Sequence, residues 1–216
     1  MSGDLKFSHR ARRRAATQAE IVTAAWQLGR AHGLSGVSMR DLGAAVGMSA
    51  QSIYFYFVSK DEIYDVMFAD GYRAASAHLA PYAEQFDAAG TDPVDLVEAI
   101  RASAHGFFEF CVSDHTRYEL LFQRTIRGFA PSAESYTLAS EFLDLLASRL
   151  ARLGVEQAGI DLWTAVMSGL TSQHLANDAG TGRWEELLDG AVDMLILRLL
   201  PNLHRRATAK IKRSTR

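Results

Sequence analysis

The 216-residue chain is 48% hydrophobic and 22% charged, a balance that excludes a disordered polypeptide and fits one large domain, or a small domain beside a medium one. Its single cysteine, Cys111, excludes an internal disulfide framework and a cysteine-rich zinc site, and no apolar run approaches the roughly 20 residues that span a bilayer. The formal charge of −2 hides an asymmetry: residues 1–60 hold eight Lys/Arg against three Asp/Glu, residues 61–204 hold nine against 22, and residues 205–216 hold six against none. A basic N-terminal quarter suits a polyanion and the acidic remainder would repel one, although a solvated charged face reads equally well from charge alone. No apolar stretch follows the basic run in MSGDLKFSHRARRR, so no secretion signal is expected and a reducing cytoplasm is the expected compartment.

All four prolines, at positions 81, 93, 131 and 201, lie beyond residue 80, and no strand-like alternation is sustained. The spacing predicts an all-α protein. Ile21, Ala24, Ala25 and Leu28 share one face of a helix over 17–33, which Gly33 stops. Ser38 caps a short helix with Met39, Leu42 and Val46 inward, and Asp41 stands three residues after the cap. Gly47 supplies a turn, and Ser49 caps a second short helix running to about Tyr56. Ser59-Lys60-Asp61-Glu62 is a capping box that opens a longer helix with Ile63, Met67 and Tyr72 inward. Pro81 to Pro93 is a break in composition. The expected organisation is a basic arm at 1–16, a first domain at 17–80, a second at 81–205 and a basic tail at 206–216. Helices are expected over 93–112, 115–126, 135–153, 157–179 and 183–205, with a loop from Gly128 to Pro131.

The informative stretch is SMRDLGAAVGMSAQSIYFYFVSK at 38–60. Two short amphipathic helices joined through Gly47-Met48-Ser49 have helix-turn-helix spacing, in which the second helix lies in a DNA major groove. Ile53 and Phe57 face inward with Val46 and Leu42. Gln51, Ser52, Phe55 and Tyr56 remain outside, where amide, hydroxyl and aromatic groups suit base edges and thymine methyls.

Together with T-x-x-x-I-x-x-A-A-x-x-L at 17–28 and Gly33, this stretch resembles the TetR family of transcriptional regulators over residues 17–68. The resemblance rests on Gly47, Ser49, Tyr54, Phe57, Lys60 and Asp61. It implies an all-α homodimer with a three-helix DNA-binding domain and a helical domain for ligand binding and dimerisation. It further implies that Lys60, a hydroxyl of Tyr54 or Tyr56, and Ser38 or Arg40 contact backbone phosphates, which position without reading sequence. Gln51 and Ser52 are the candidate readers of base edges. Ser49 and Phe55 complete the candidate DNA face. Arg10, Arg12, Arg13 and Arg14 form an arm that follows phosphates or the minor groove, or is a disordered tail that orders on binding. Position 51 is usually small or proline in the family and position 55 often polar or basic. Gln51 and Phe55 depart from this on the reading face, so no operator sequence carries over.

The resemblance implies an effector pocket inside the C-terminal helices, with Phe107, Phe108, Cys111, Tyr118, Phe122, Trp163, Met167 and His174 as candidates for an apolar or aromatic small molecule, although any one of them taken singly reads better as core. His105 reads equally as a satisfied buried histidine or a ligand contact. The tail Lys210–Arg216 is expected to be solvated and disordered. Leu162–Asp178 resembles the dimerisation helix of some family members. It carries the small residues Ala165, Gly169, Ser172 and Ala176 in a stripe that permits close helix approach. The last helix is apolar over a wide arc through Leu187, Leu188, Ala191, Val192, Leu195, Ile196 and Leu199, so two copies are expected to pair in a four-helix bundle.

The function these readings imply is a ligand-responsive transcriptional repressor that binds a palindromic operator as a homodimer and leaves it when a small effector binds. No cofactor, metal or membrane is expected to take part. An all-α enzyme is the second class, and it lacks G-x-S-x-G, H-E-x-x-H, a Walker loop and G-x-G-x-x-G. A helical adaptor that binds only protein is the third, set apart by the absence of DNA affinity that falls steeply with salt.

Overall fold

In the computed structural model, which describes residues 2–178 and 180–214, every regular element is helical. Met1 of the expected arm, Ala179 of the expected 157–179 helix, and Thr215 and Arg216 of the basic tail lie outside the described residues. The chain forms two compact units, one from the residues through Tyr72 together with His115–Ala139, the other from Arg73–Asp114 and the residues from Ser140 onward.

In the first unit, helix α1 (Ser2–His32) takes in the arginine run that was expected as an arm. The reason is local: no Gly or Pro falls between Asp4 and Gly29, and Ala and Arg are strong helix formers. Gly33, at φ 76°, ends it. After a single 3₁₀ turn at Leu34–Gly36, Ser38 caps α2 (Met39–Ala45) by accepting from the Asp41 N–H at 3.2 Å. Gly47, at φ 69°, makes the turn. Ser49 caps α3 (Ala50–Tyr54) by accepting from the Ser52 N–H at 3.1 Å. Ser59 accepts from Glu62 N–H at 3.2 Å at the head of α4 (Lys60–Ala88). The Glu62 carboxylate reaches back to the Val58 N–H at 2.5 Å, one residue earlier than a standard capping box.

Ile21, Ala25, Leu42, Ile53, Ile63, Tyr64 and Met67 are fully buried and hold these helices together. The Tyr64 hydroxyl donates to the Leu34 carbonyl at 2.5 Å. Burial, and next the Asp61 charge, push that phenol up to about 12. The expected helix over 115–126 is a short α-turn, α6 (His115–Tyr118), followed by a π-helical turn at Glu119–Gln123. It ends at Arg124, a non-glycine residue in the left-handed region at φ 49°. Asp65 of α4 then accepts from the Ser132 N–H at 2.7 Å and from the Ser135 hydroxyl at 2.9 Å, fixing the start of α7 (Ala133–Arg152).

In the second unit, Asp92 caps α5 (Pro93–Val112), with Pro93 in the first turn where its missing N–H costs nothing. Its core joins Leu96, Ile100, Ala104 and Phe108 of α5 to Trp163 and Met167 of α8 (Gln157–Asn177) and to Leu188, Val192, Leu195 and Ile196 of α9 (Leu188–Leu199). The helix expected over 183–205 is cut at both ends. It begins at Leu188, and Pro201 breaks it at Leu200, which leaves the helical region at φ −129° and ψ 51°.

Pro201 instead starts α10 (Pro201–Ser214), which replaces the expected disordered tail. Leu203 and Ala207, one turn apart, are buried, and the Lys210 ammonium pairs with Asp92 at the head of α5. That pairing is the first cause holding the Asp92 carboxyl below the usual carboxylate range.

Candidate nucleic-acid interface and effector region

The residues singled out for DNA contact gather around α3. Gln51 is exposed, and Phe55, at the C-cap, is 71% exposed. Tyr54 is exposed, whereas Tyr56 is half-buried. The hydroxyls of Ser49 and Ser52 lie 2.9 Å apart and satisfy each other, so neither is wholly free for a base. Ser38 is likewise engaged, its hydroxyl donating to the Asp41 carboxylate at 2.5 Å. Arg40 extends into solvent with a loose 3.8 Å pairing to Asp41. The Lys60 ammonium stands 5.4 Å from the centroid of the Tyr64 ring at the start of α4.

The arginine run is built onto this face. Arg13 is exposed. The Arg14 guanidinium lies over the Phe55 ring at 5.2 Å and the Tyr56 ring at 5.5 Å, and donates to the Tyr56 carbonyl at 3.4 Å. Gln18, one turn further along α1, donates to the same carbonyl at 3.2 Å. These two side chains satisfy a backbone acceptor just past the end of α3, where a helix leaves its carbonyls unpaired. Gln18 was not legible as a site residue. Its only sequence signal is its i+4 spacing from Arg14, with Ile21 and Ala25 turned inward nearby.

A second unforeseen residue is Gly43 of α2. A Cβ there would meet the Met48 carbonyl oxygen at 2.7 Å and the Ala50 nitrogen at 3.1 Å. Only glycine lets the turn between α2 and α3 fold back this tightly.

The candidate effector residues divide between the two units. Phe108, Trp163 and Met167 are core of the second unit, with Phe107 at its edge and Cys111 buried. His174 lies edge-on to Phe108, ring centroids 5.2 Å apart. Its Nδ1 is 3.2 Å from the Asp178 carboxylate, close enough for an ion pair but out of line for a hydrogen bond. The other Asp178 oxygen accepts from the Thr181 hydroxyl at 2.8 Å, and from the backbone N–H of Thr181 at 2.7 Å and Gly182 at 3.2 Å. These bonds, the Thr181 hydroxyl first, hold the Asp178 carboxyl below the usual range.

Tyr118 and Phe122 belong to the first unit, in a chain of ring contacts that continues through Tyr72 and Phe68 to Phe129. His105 is no buried histidine. Its Nε2 meets Asp189 of α9 at 2.7 Å on the surface, beside the Arg101–Asp193 pair.

Residues 21–67, from the core of α1 through α3 into α4, match the family model of the bacterial regulatory proteins of the tetR family. By this match the segment 21–67 carries the TetR-family signature. The chain is 27% identical over 141 residues to MftR of Mycobacterium tuberculosis, a protein assigned to the regulation of mycofactocin biosynthesis, covering 65% of this chain and 67% of that one. Its fold matches AibR, solved with isovaleryl coenzyme A and operator DNA, at a TM-score of 0.61 and 17% identity over 82% of this chain and 96% of that one. It also matches the TetR-family regulator PfmR of Thermus thermophilus at a TM-score of 0.58 and 22% identity, over 83% and 98% of the two chains. No described helix of the chain is long and apolar enough to cross a membrane.

Proposed function

We propose that this chain is a homodimeric, cytoplasmic repressor that binds an inverted-repeat operator through α3 and is released by a small apolar or aromatic effector. The observation that carries the reading is the face of α3. Gln51 and Phe55 project outward from a buried anchor at Ile53, and Arg14 and Gln18 brace the helix end from α1. In this reading Gln51 meets a base edge, while Lys60, Arg40, Arg13 and a hydroxyl of Tyr54 or Tyr56 meet phosphates. The DNA-binding part spans 17–80 behind the basic segment 1–16, and the effector and dimerisation part spans 81–205.

Dimerisation is supported by what α8 and α9 leave uncovered. Leu162, Ala165 and Gly169 are exposed on α8, Leu187 at the N-cap of α9, and Met194 and Leu197 on α9. Nothing lies within 4 Å of a Cβ placed on Gly169. Small and apolar groups exposed together on two helices suit a second copy. Two heads about 34–36 Å apart would meet successive turns of one duplex face. Release would follow if the effector favours another position of α4, which carries residues of both units, with a coupling of about 1–3 kcal/mol. AibR, solved with an acyl thioester and operator DNA, supports a fold that accommodates both kinds of partner.

The test is selection of binding sites from randomised duplexes by the purified protein. Enrichment of an inverted repeat is the expected result. No enrichment at low salt from folded protein overturns the reading and leaves the protein-binding adaptor.

A further inference from the structure

Among the described residues, Phe55 and Val58 are the most exposed large apolar side chains of the first unit, at 71% and 79%. They stand three residues apart, just beyond the last turn of α3. Cations stand near both, although the Glu62 carboxylate also meets the Val58 N–H. Arg14 lies across the Phe55 ring, Lys60 follows Val58 by two residues, and Arg10, Arg12 and Arg13 run along α1 beside Arg14. An apolar spot in a cationic frame calls for a polyanion that carries an apolar feature. In the major groove of duplex DNA only one base offers such a feature, the C5-methyl of thymine.

We propose that Phe55, held by Arg14, is a specificity-determining residue that reads a thymine methyl group in each half of the operator. The inference rests on the reading that α3 enters the major groove. Arg14 acts as a positioning residue. Its guanidinium spans the Phe55 and Tyr56 rings, which stand edge-on at 5.4 Å, and its bond to the Tyr56 carbonyl ties this arrangement to the helix end. The ring is thereby fixed while its outer surface stays open. A ring already held in place loses little side-chain freedom on binding and stays in register with the methyl, so the methyl contact is made in full.

The experiment uses the full chain and the operator obtained by duplex selection. Each thymine is replaced in turn by deoxyuridine, which removes only the methyl. The expected result is one symmetry-related pair of thymines whose methyl loss weakens the wild-type protein about fourfold per methyl, the size of one buried methylene. Phe55→Ala, a change at an exposed position that leaves the core intact, should bind the thymine and deoxyuridine operators alike. Arg14→Lys keeps the charge but not the planar group, so it should lower the thymine preference without changing the salt dependence.

If no single replacement weakens binding, or if Phe55→Ala keeps the full thymine preference, the proposal is wrong although the operator reading stands. If selection yields no operator at all, the reading beneath it has failed as well.

Discussion

Gly43→Ala sets two effects of opposite sign against each other. Alanine favours a helix interior over glycine by about 1 kcal/mol. At Gly43, however, the new Cβ would lie 2.7 Å from the Met48 carbonyl oxygen, 0.7 Å inside the 3.4 Å where ordinary contact begins. The Ala50 nitrogen and the Ser49 carbonyl carbon stand at 3.1 Å, so all three neighbours are backbone and no rotamer change relieves the overlap. Nor is the turn free to open, because the Met48 N–H donates to the Gly43 carbonyl at 2.7 Å. Overpacking of this kind costs about 1–3 kcal/mol, so the expected net effect is a loss of about 1 kcal/mol. That corresponds to a melting temperature lower by about 2–4 °C for a chain of this size. The displacement falls on the start of α3, so operator affinity should fall at least fivefold, within the roughly 1–3 kcal/mol that one base contact supplies. Calorimetry and a binding titration check both. A melting temperature that rises, with operator affinity intact, would refute the close-approach argument.

Tyr64→Phe should cost about 1–3 kcal/mol at neutral pH by orphaning the Leu34 carbonyl. Because the folded phenol titrates near 12 rather than 10, its stabilising effect is complete below pH 10 and is lost as pH rises toward 12. Urea unfolding from pH 8 to 11.5 should show the wild-type advantage shrinking only above pH 10. Leu197→Glu with Met194→Glu places charge on an exposed apolar face without touching the core, so sedimentation should find a folded monomer with weakened operator binding. A folded dimer would place the interface elsewhere. Lys60→Met should weaken all duplexes alike and reduce the slope of log affinity against log salt by about 0.9 for each phosphate no longer neutralised.

What was legible in the sequence was local. Ser38, Ser49 and Gly47 announce their helices because a cap or a left-handed turn is decided within a few residues. Ile53 and Phe57 follow from helical period. Gly43 was not legible, because its constraint comes from a backbone carbonyl in the next turn. The Arg14 contact was hidden for the same reason: it joins residues 42 positions apart, whereas the arginine run by itself reads as a loose arm. In α10 the density of Lys and Arg masked the pair Leu203 and Ala207, which docks the helix. The grouping of His115–Ala139 with the N-terminal unit depends on long-range packing, such as Tyr72 bonding the Leu121 carbonyl, and composition carries no trace of it.

The central claim is that the outer face of α3 reads DNA sequence. The most direct measurement is duplex selection carried out in parallel with the wild-type chain and with Gln51→Ala, whose position is exposed and outside the core. The account predicts inverted repeats from both, with the preferred base changed or relaxed at one symmetric pair of positions in the variant and the rest retained. Identical preferences at every position would contradict it, since a helix that reads bases cannot lose its exposed amide without changing what it selects.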